Sequence, residues 1–165
     1  MRLSQVAQWT GGRLQGEDLT VPAVVTDTRN MTPGSLFVAL KGDRFDAHDF
    51  LTQAQANGAS AALVDREQEV FASAVQVADT RQGLGRLASG YADQFTAERL
   101  AVTGNAGKTT VKEMAAAMLG NDTLATAGNF NNDIGVPLTL LRLRAEHRYA
   151  VIELGANAPG ESAWT

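Results

Sequence analysis

Apolar positions along the chain fall into short blocks of two periods, separated by polar turns that carry glycine. Residues 3–10 alternate at helical spacing, with Ser4 placed as an N-cap and Gly11-Gly12 as the stop. Residues 21–28 contain a strand ending in Asp27-Thr28-Arg29, and 32–35 read as a turn. The run 35–40 is apolar and of strand length, and 41–48 is a polar loop dense in hydrogen-bonding groups. A helix is expected over 49–57, closed by Gly58, then buried strands at 60–64 and 75–78. Asp79 or Thr80 can cap a helix reaching about residue 95. These elements predict a small mixed α/β domain over 1–96, an ordinary domain size.

From residue 97 the pattern changes to regular alternation. A strand at 100–103 runs into a glycine loop, and a helix starts at Lys108 with Val111, Met114, Ala115, Met118 and Leu119 on one face. A strand at 123–127, a loop at 128–135, a helix to 143 with Pro137 in its first turn, and a strand at 149–152 ending on Glu153 follow. Strands alternating with helices predict a parallel sheet with helices on its faces. Three strands with two crossovers bury little core. Thr165 follows the last strand closely, so the reading is of a second domain, 97–165, that is incomplete.

Composition narrows the chemistry. The 165 residues hold no cysteine, which excludes disulfides and thiolate metal sites. The net charge of −4 comes without any basic run, so nucleic acid is a poor partner, whereas a small phosphorylated ligand needs only a local positive site. No stretch approaches the ~20 apolar residues of a membrane helix, and the residues at the amino terminus lack an apolar signal-type run. A cytoplasmic protein with no membrane insertion is expected.

The segment Thr103-Gly104-Asn105-Ala106-Gly107-Lys108-Thr109-Thr110 carries the most specific chemistry. Strand, tight glycine loop and helix start come in the order that turns backbone N–H groups toward one point at a positive helix end, which suits phosphate. Val102 stands where the longer P-loop pattern has its first glycine, so the match is to the shorter Gly-x-x-Gly-Lys-Thr form. Residues 104–110 are expected to bind the phosphates of a nucleotide, with Lys108 on the β- and γ-phosphates and the Thr109 hydroxyl on Mg²⁺. Glu153, acidic at the carboxyl end of an apolar strand, is the expected second metal ligand. Asn129, Asn131 and Asn132 fall in a loop at the same edge, where they serve either a ligand or the turn itself. Thr28-Arg29 with the loop 43–48 forms a second candidate site in the first domain, Arg29 being suited to bidentate phosphate binding. His48 is read as a capping or packing residue. There is no hydrolytic triad pattern and no histidine cluster of metal-ligand type.

The quoted segments resemble the Mur ligases, which build the peptide of bacterial peptidoglycan. The resemblance covers the whole chain. It rests on Thr-Asp-Thr-Arg at 26–29, the runs 33–42 and 45–50, the loop and helix at 103–114, Asn-Asn-x-Ile-Gly-x-Pro at 131–137 within the run 127–141, and Glu-Leu-Gly-Ala-Asn at 153–157. It is strongest to the dipeptide-adding member, and it implies ATP-dependent amide formation through an acyl phosphate. The substrates implied are a UDP-N-acetylmuramoyl-tripeptide and D-Ala-D-Ala. Lys108 and Glu153 would be the catalytic residues, and Thr109 and Glu153 would hold Mg²⁺. Thr28, Arg29, Asp43, Arg44 and Phe45 would hold the uridine end, with Asn131 and Asn132 on the muramoyl-peptide side. The family has three domains and the full-length member implied is a monomer, so this chain alone is expected not to ligate. Ala158-Pro159 stands where relatives often have a histidine, and no role of that imidazole carries over. The alternatives are a sibling ligase adding the third stem residue and a non-catalytic nucleotide-binding module.

Overall fold

The computed structural model of the chain describes residues 1–42 and 45–155. Its contacts divide the chain into two units, Met1–Leu87 and Ala88–Thr165. The sequence pattern changes at 96/97; the contacts change inside a helix somewhat earlier.

In the first unit, helix α1 (Leu3–Thr10) is followed by strands β1 (Arg13–Gln15), β2 (Val24–Val25) and β3 (Leu36–Val38). Helix α2 (Leu51–Ala56), strands β4 (Ala61–Val64) and β5 (Ala74–Gln76) and helix α3 (Thr80–Ala92) complete the run, with α3 crossing into the second unit. The sheet order is β1-β5-β4-β3-β2; β1 pairs antiparallel with β5 and every other pair is parallel. β3 and β4 are buried along their whole length, which is why they read as unbroken apolar runs rather than alternating ones. One core cluster joins Phe37, Leu51, Val64 and Phe71.

Three expectations need correction here, and one strand was not foreseen. The strand expected within 21–28 is present but stops at Val25 instead of reaching Asp27-Thr28-Arg29, because the Asp27 carboxylate accepts the Arg29 N–H at 2.9 Å and winds Thr28–Asn30 into a 3₁₀ turn. Ser4 lies inside α1 rather than at its cap; the Ser4 N–H donates to Asp18 Oδ1 at 2.8 Å, so a distant carboxylate satisfies the helix start. β1 has no signal of its own, and its pairing with β5 creates it. The helix expected from residue 49 starts as a 3₁₀ turn at Ala47–Phe50, nucleated by Asp46, whose side chain accepts the His48 N–H.

His48 does pack, as expected. Its ring is buried, its Nδ1 lies 2.6 Å from Asp46 Oδ1, and its Nε2 accepts the Asp65 N–H at 3.2 Å. Nε2 also lies 3.1 Å from Asp65 Oδ1. Arg66 closes the cluster on the other Asp46 oxygen. Burial pushes the Asp46 carboxyl up, but the His48 N–H, the Arg66 guanidinium and the His48 ring outweigh it and hold the group well below the usual carboxylate range.

The second unit holds β6 (Glu98–Val102), helix α4 (Lys108–Leu119), β7 (Thr123–Ala125), helix α5 (Gly135–Leu140) and β8 (Tyr149–Glu153). The three strands are parallel in the order β6-β8-β7, so the last strand in sequence is the central one. The expected parallel sheet is present, but α4 lies on it by a different face from the one the pattern suggested. Val111, Met114 and Met118 are exposed, Met118 at 85%, while Lys112 is buried to 1%. Lys112, Ala115, Ala116 and Leu119 follow the i, i+3, i+4, i+7 spacing and form the less exposed face. Periodicity located the helix; small side chains, not the largest apolar ones, mark its inner face.

Two measurements check this account. Gly16 has φ +77°, and a Cβ there would stand 1.9 Å from the Ala72 carbonyl oxygen. Gly16→Ala should therefore lower unfolding stability of the first unit by about 3 kcal/mol in urea titrations. For Asp46 the folded pKa is depressed, so its contribution is present above the unfolded value near 3.8 and lost as pH falls below it. Asp46→Asn should flatten the acid-side loss of protection in β4 amide exchange and lower protection at neutral pH.

Candidate functional site

A parallel sheet sends every strand's carboxyl end to one edge, and in the second unit three segments of interest leave that edge. The loop 103–107 follows β6, the loop 126–134 follows β7, and Glu153 is the last residue of β8.

The first loop turns on two glycines. Gly104 has φ +148° and Gly107 has φ +76°, conformations that side-chain-bearing residues rarely adopt. Gly107 is the N-cap of α4 and no side chain caps the helix, so the first-turn N–H groups are left to an external acceptor. Asn105, Ala106, Gly107, Thr109 and Thr110 are exposed. Lys108 curls back over the loop, its Nζ donating to the Gly104 carbonyl at 2.7 Å.

Glu153 is 2% exposed. Its Oε2 accepts the Thr109 hydroxyl at 3.1 Å, and its Oε1 accepts the Asn131 amide at 2.9 Å. Register explains the meeting: Val102, the residue before the loop, pairs with Glu153 across β6 and β8. One carboxylate and one hydroxyl, both at the mouth of a phosphate-type loop, could hold a magnesium ion that keeps waters and phosphate oxygens as its other ligands. No cluster of three or more histidine, aspartate or glutamate side chains suited to a metal occurs among the described residues.

The three asparagines separate. Asn131 holds Glu153, and its backbone carbonyl accepts the Gly155 N–H at 2.6 Å. Asn132 serves the turn: its Oδ1 accepts the Gly135 N–H at 2.7 Å, starting α5. Asn129 and Asn132, with Phe130, Ile134 and Gly135, line an open pocket of about 270 Å³.

In the first unit, Thr28-Arg29 and the loop after β3 leave neighbouring parallel strands at their carboxyl ends. Arg29 is exposed, and its Nε and Nη2 donate to both Asp27 oxygens at 2.6–3.1 Å. The hydrogen bonds from the Arg29 side chain and N–H hold the Asp27 carboxyl down at about 2. The Thr28 carbonyl accepts the Asn57 amide at 2.8 Å. Phe45 is exposed and stacks on Phe50 with centroids 5.4 Å apart. Asp43 and Arg44 lie outside the described residues, as do Asn157, Ala158 and Pro159.

Two participants escaped the sequence reading. Lys112 Nζ donates to the Thr126 carbonyl at 2.7 Å, and Thr126 Oγ1 accepts the Glu153 N–H at 2.9 Å. The available signal was a lysine one turn after Lys108, on a helix face that continues with Ala115, Ala116 and Leu119.

The model of the Mur ligase family catalytic domain matches residues 20–120, and that of the Mur ligase middle domain matches 102–165. The UDP-N-acetylmuramoyl-tripeptide–D-alanyl-D-alanine ligase of Escherichia coli is 58% identical over 99% of this chain and 36% of its own length. The Haemophilus influenzae enzyme of the same name is 48% identical over 98% of this chain and 37% of its own length. A ligase structure from Acinetobacter baumannii, 44% identical, superposes with a TM-score of 0.90 over 98% of this chain and 37% of that one. A MurF ligase from Thermotoga maritima in complex with ADP gives 0.76 at 33% identity, over 86% of this chain and 34% of that one. The chain thus spans little more than a third of the length of these relatives. With a glycine loop, a buried strand-end glutamate and a family match running across both units, the chain belongs to the Mur ligase family.

Proposed function

We propose that this chain is the nucleotide- and substrate-binding portion of an ATP-dependent ligase that joins D-Ala-D-Ala to UDP-N-acetylmuramoyl-tripeptide in the cytoplasm. The observation that carries the reading is the 3.1 Å contact between Thr109 Oγ1 and Glu153 Oε2, which joins the mouth of the glycine loop to the end of the central strand. Similarity to relatives named for that reaction, one of them solved with ADP, supports the choice of nucleotide and substrates.

In this reading the N–H groups of residues 104–110 cradle the ATP phosphates, and Lys108 leaves the Gly104 carbonyl to meet the β- and γ-oxygens. Thr109 and Glu153 would hold Mg²⁺, which when bound offsets charge on the phosphoryl group passing to the substrate carboxylate. Asn131 keeps the Glu153 carboxylate aimed at Thr109 by holding its other oxygen. The acyl phosphate so formed loses phosphate when the amine of D-Ala-D-Ala attacks, leaving the amide. Residues 1–96 are assigned to the uridine end of the precursor, with Thr28, Arg29, Asp43, Arg44 and Phe45 as contacts; Asn131 and Asn132 of the second unit are assigned to its peptide side. Residues 97–165 are assigned to ATP. Ligation is assigned to the longer protein, of which relatives show the full length.

Two titrations test this. Lys108→Ala should weaken ADP binding by about tenfold or more, the loss expected for a charged hydrogen bond. Retained affinity in the folded variant would remove the loop from the nucleotide site. Calorimetry with UDP-N-acetylmuramoyl-tripeptide should show saturable binding that Arg29→Ala lowers by a similar factor. An unchanged isotherm would move the uridine site elsewhere.

A further inference from the structure

Lys112 is a buried cation on a helix whose neighbouring turn carries the loop lysine. At 1% exposure its ammonium must be met from inside the protein. It donates to the Thr126 carbonyl at 2.7 Å, lies 3.0 Å from Glu113 Oε1, and stands 3.9 Å from Glu153 Oε2. Glu113 is largely exposed, so the carboxylate that shares the interior with Lys112 is Glu153.

These contacts form a closed circuit. Lys112 holds the Thr126 carbonyl, Thr126 Oγ1 accepts the Glu153 N–H, and Glu153 Oε2 accepts the Thr109 hydroxyl. Thr109 and Lys112 are three residues apart on α4, hence on one face of the helix. The circuit therefore locks α4, the end of β7 and the end of β8 to one another at the Glu153 side chain. The direct partners of the carboxylate, Thr109 and Asn131, are neutral; Lys112 supplies the balancing charge.

We propose that Lys112 is a positioning residue for Glu153: it fixes the rotamer and setting of the carboxylate so that a divalent cation arriving with nucleotide meets a preformed oxygen pair with Thr109. The proposal rests on the reading of Glu153 as a metal ligand. A lysine serving only the stability of the sheet would have no selective effect on metal, and this separates the two roles.

The test is the metal enhancement of nucleotide affinity, measured as the ratio of dissociation constants for a fluorescent ADP analogue without and with Mg²⁺. It uses the 165-residue chain, Lys112→Met and Lys112→Gln. The methionine preserves length without charge or donor; the glutamine keeps a donor for Thr126. Both variants should lose about tenfold of the enhancement, as removal of a ligand-orienting partner does, while metal-free affinity stays within about twofold. Unchanged enhancement in a variant shown folded by circular dichroism overturns the proposal. So does a parallel fall of both affinities, or unfolding of both variants, each of which assigns Lys112 to the fold alone. If the unsubstituted chain binds the analogue but shows no metal enhancement, the metal reading of Glu153 fails and the proposal goes with it. Absent binding, unaltered by Lys108→Ala, would instead refute the loop as nucleotide site.

Discussion

A carboxylate withdrawn from water has to be met by donors and charge on every side, and Glu153 sets that condition for the second unit. Its two oxygens and its backbone N–H reach Thr109, Asn131 and Thr126, which come from the helix after β6, the loop after β7 and the end of β7. Every segment at the carboxyl edge is thereby tied to the central strand. Were Glu153 apolar, the loops would keep their turns but lose the reason to converge. The strand order β6-β8-β7 gives the same result in topology: the strand that brings the charge lies between the two that bring its partners.

The first unit uses the same edge with different chemistry. Thr28–Asn30, the loop after β3, and Asp65-Arg66 follow the ends of β2, β3 and β4, three adjacent parallel strands. Aspartates organise two of these turns. Asp27 winds one through the Arg29 N–H and Asp46 another through the His48 N–H, so short polar side chains do locally what long helices do elsewhere. The price is strand length, and β2 keeps only two residues.

Legibility in the sequence followed the range of the interactions. Elements held by their own period, such as α1, β4, α4 and β8, were readable to within a residue or two. β1 was not, since a three-residue strand exists only through its partner 60 residues on. The inner face of α4 was misread because Val111, Met114 and Met118 outweigh alanine in any hydrophobic pattern, while the buried position belongs to a lysine whose partner is a carbonyl on another element. The glycine loop and Glu153 were legible as separate signals. Their contact depends on the Val102–Glu153 register, which no local pattern encodes. Asn131 and Asn132 are adjacent and chemically identical, yet one binds a buried carboxylate and the other caps a turn.

The Asp27–Arg29 pair carries a consequence for how its surface is seen from a distance. A free guanidinium radiates a unit charge felt over a Debye length of about 8 Å at physiological salt. With both Asp27 oxygens on its Nε and Nη2, this one presents a dipole, whose field decays faster than that of a charge. By itself the pair neither gathers nor guides distant anions, and added salt has little of it to screen. What remains is short-ranged and directional: the outer N–H groups of a planar group already held in orientation by its own neighbour. Such a pair acts at contact rather than at approach, through the shape and hydrogen bonding of its outer face.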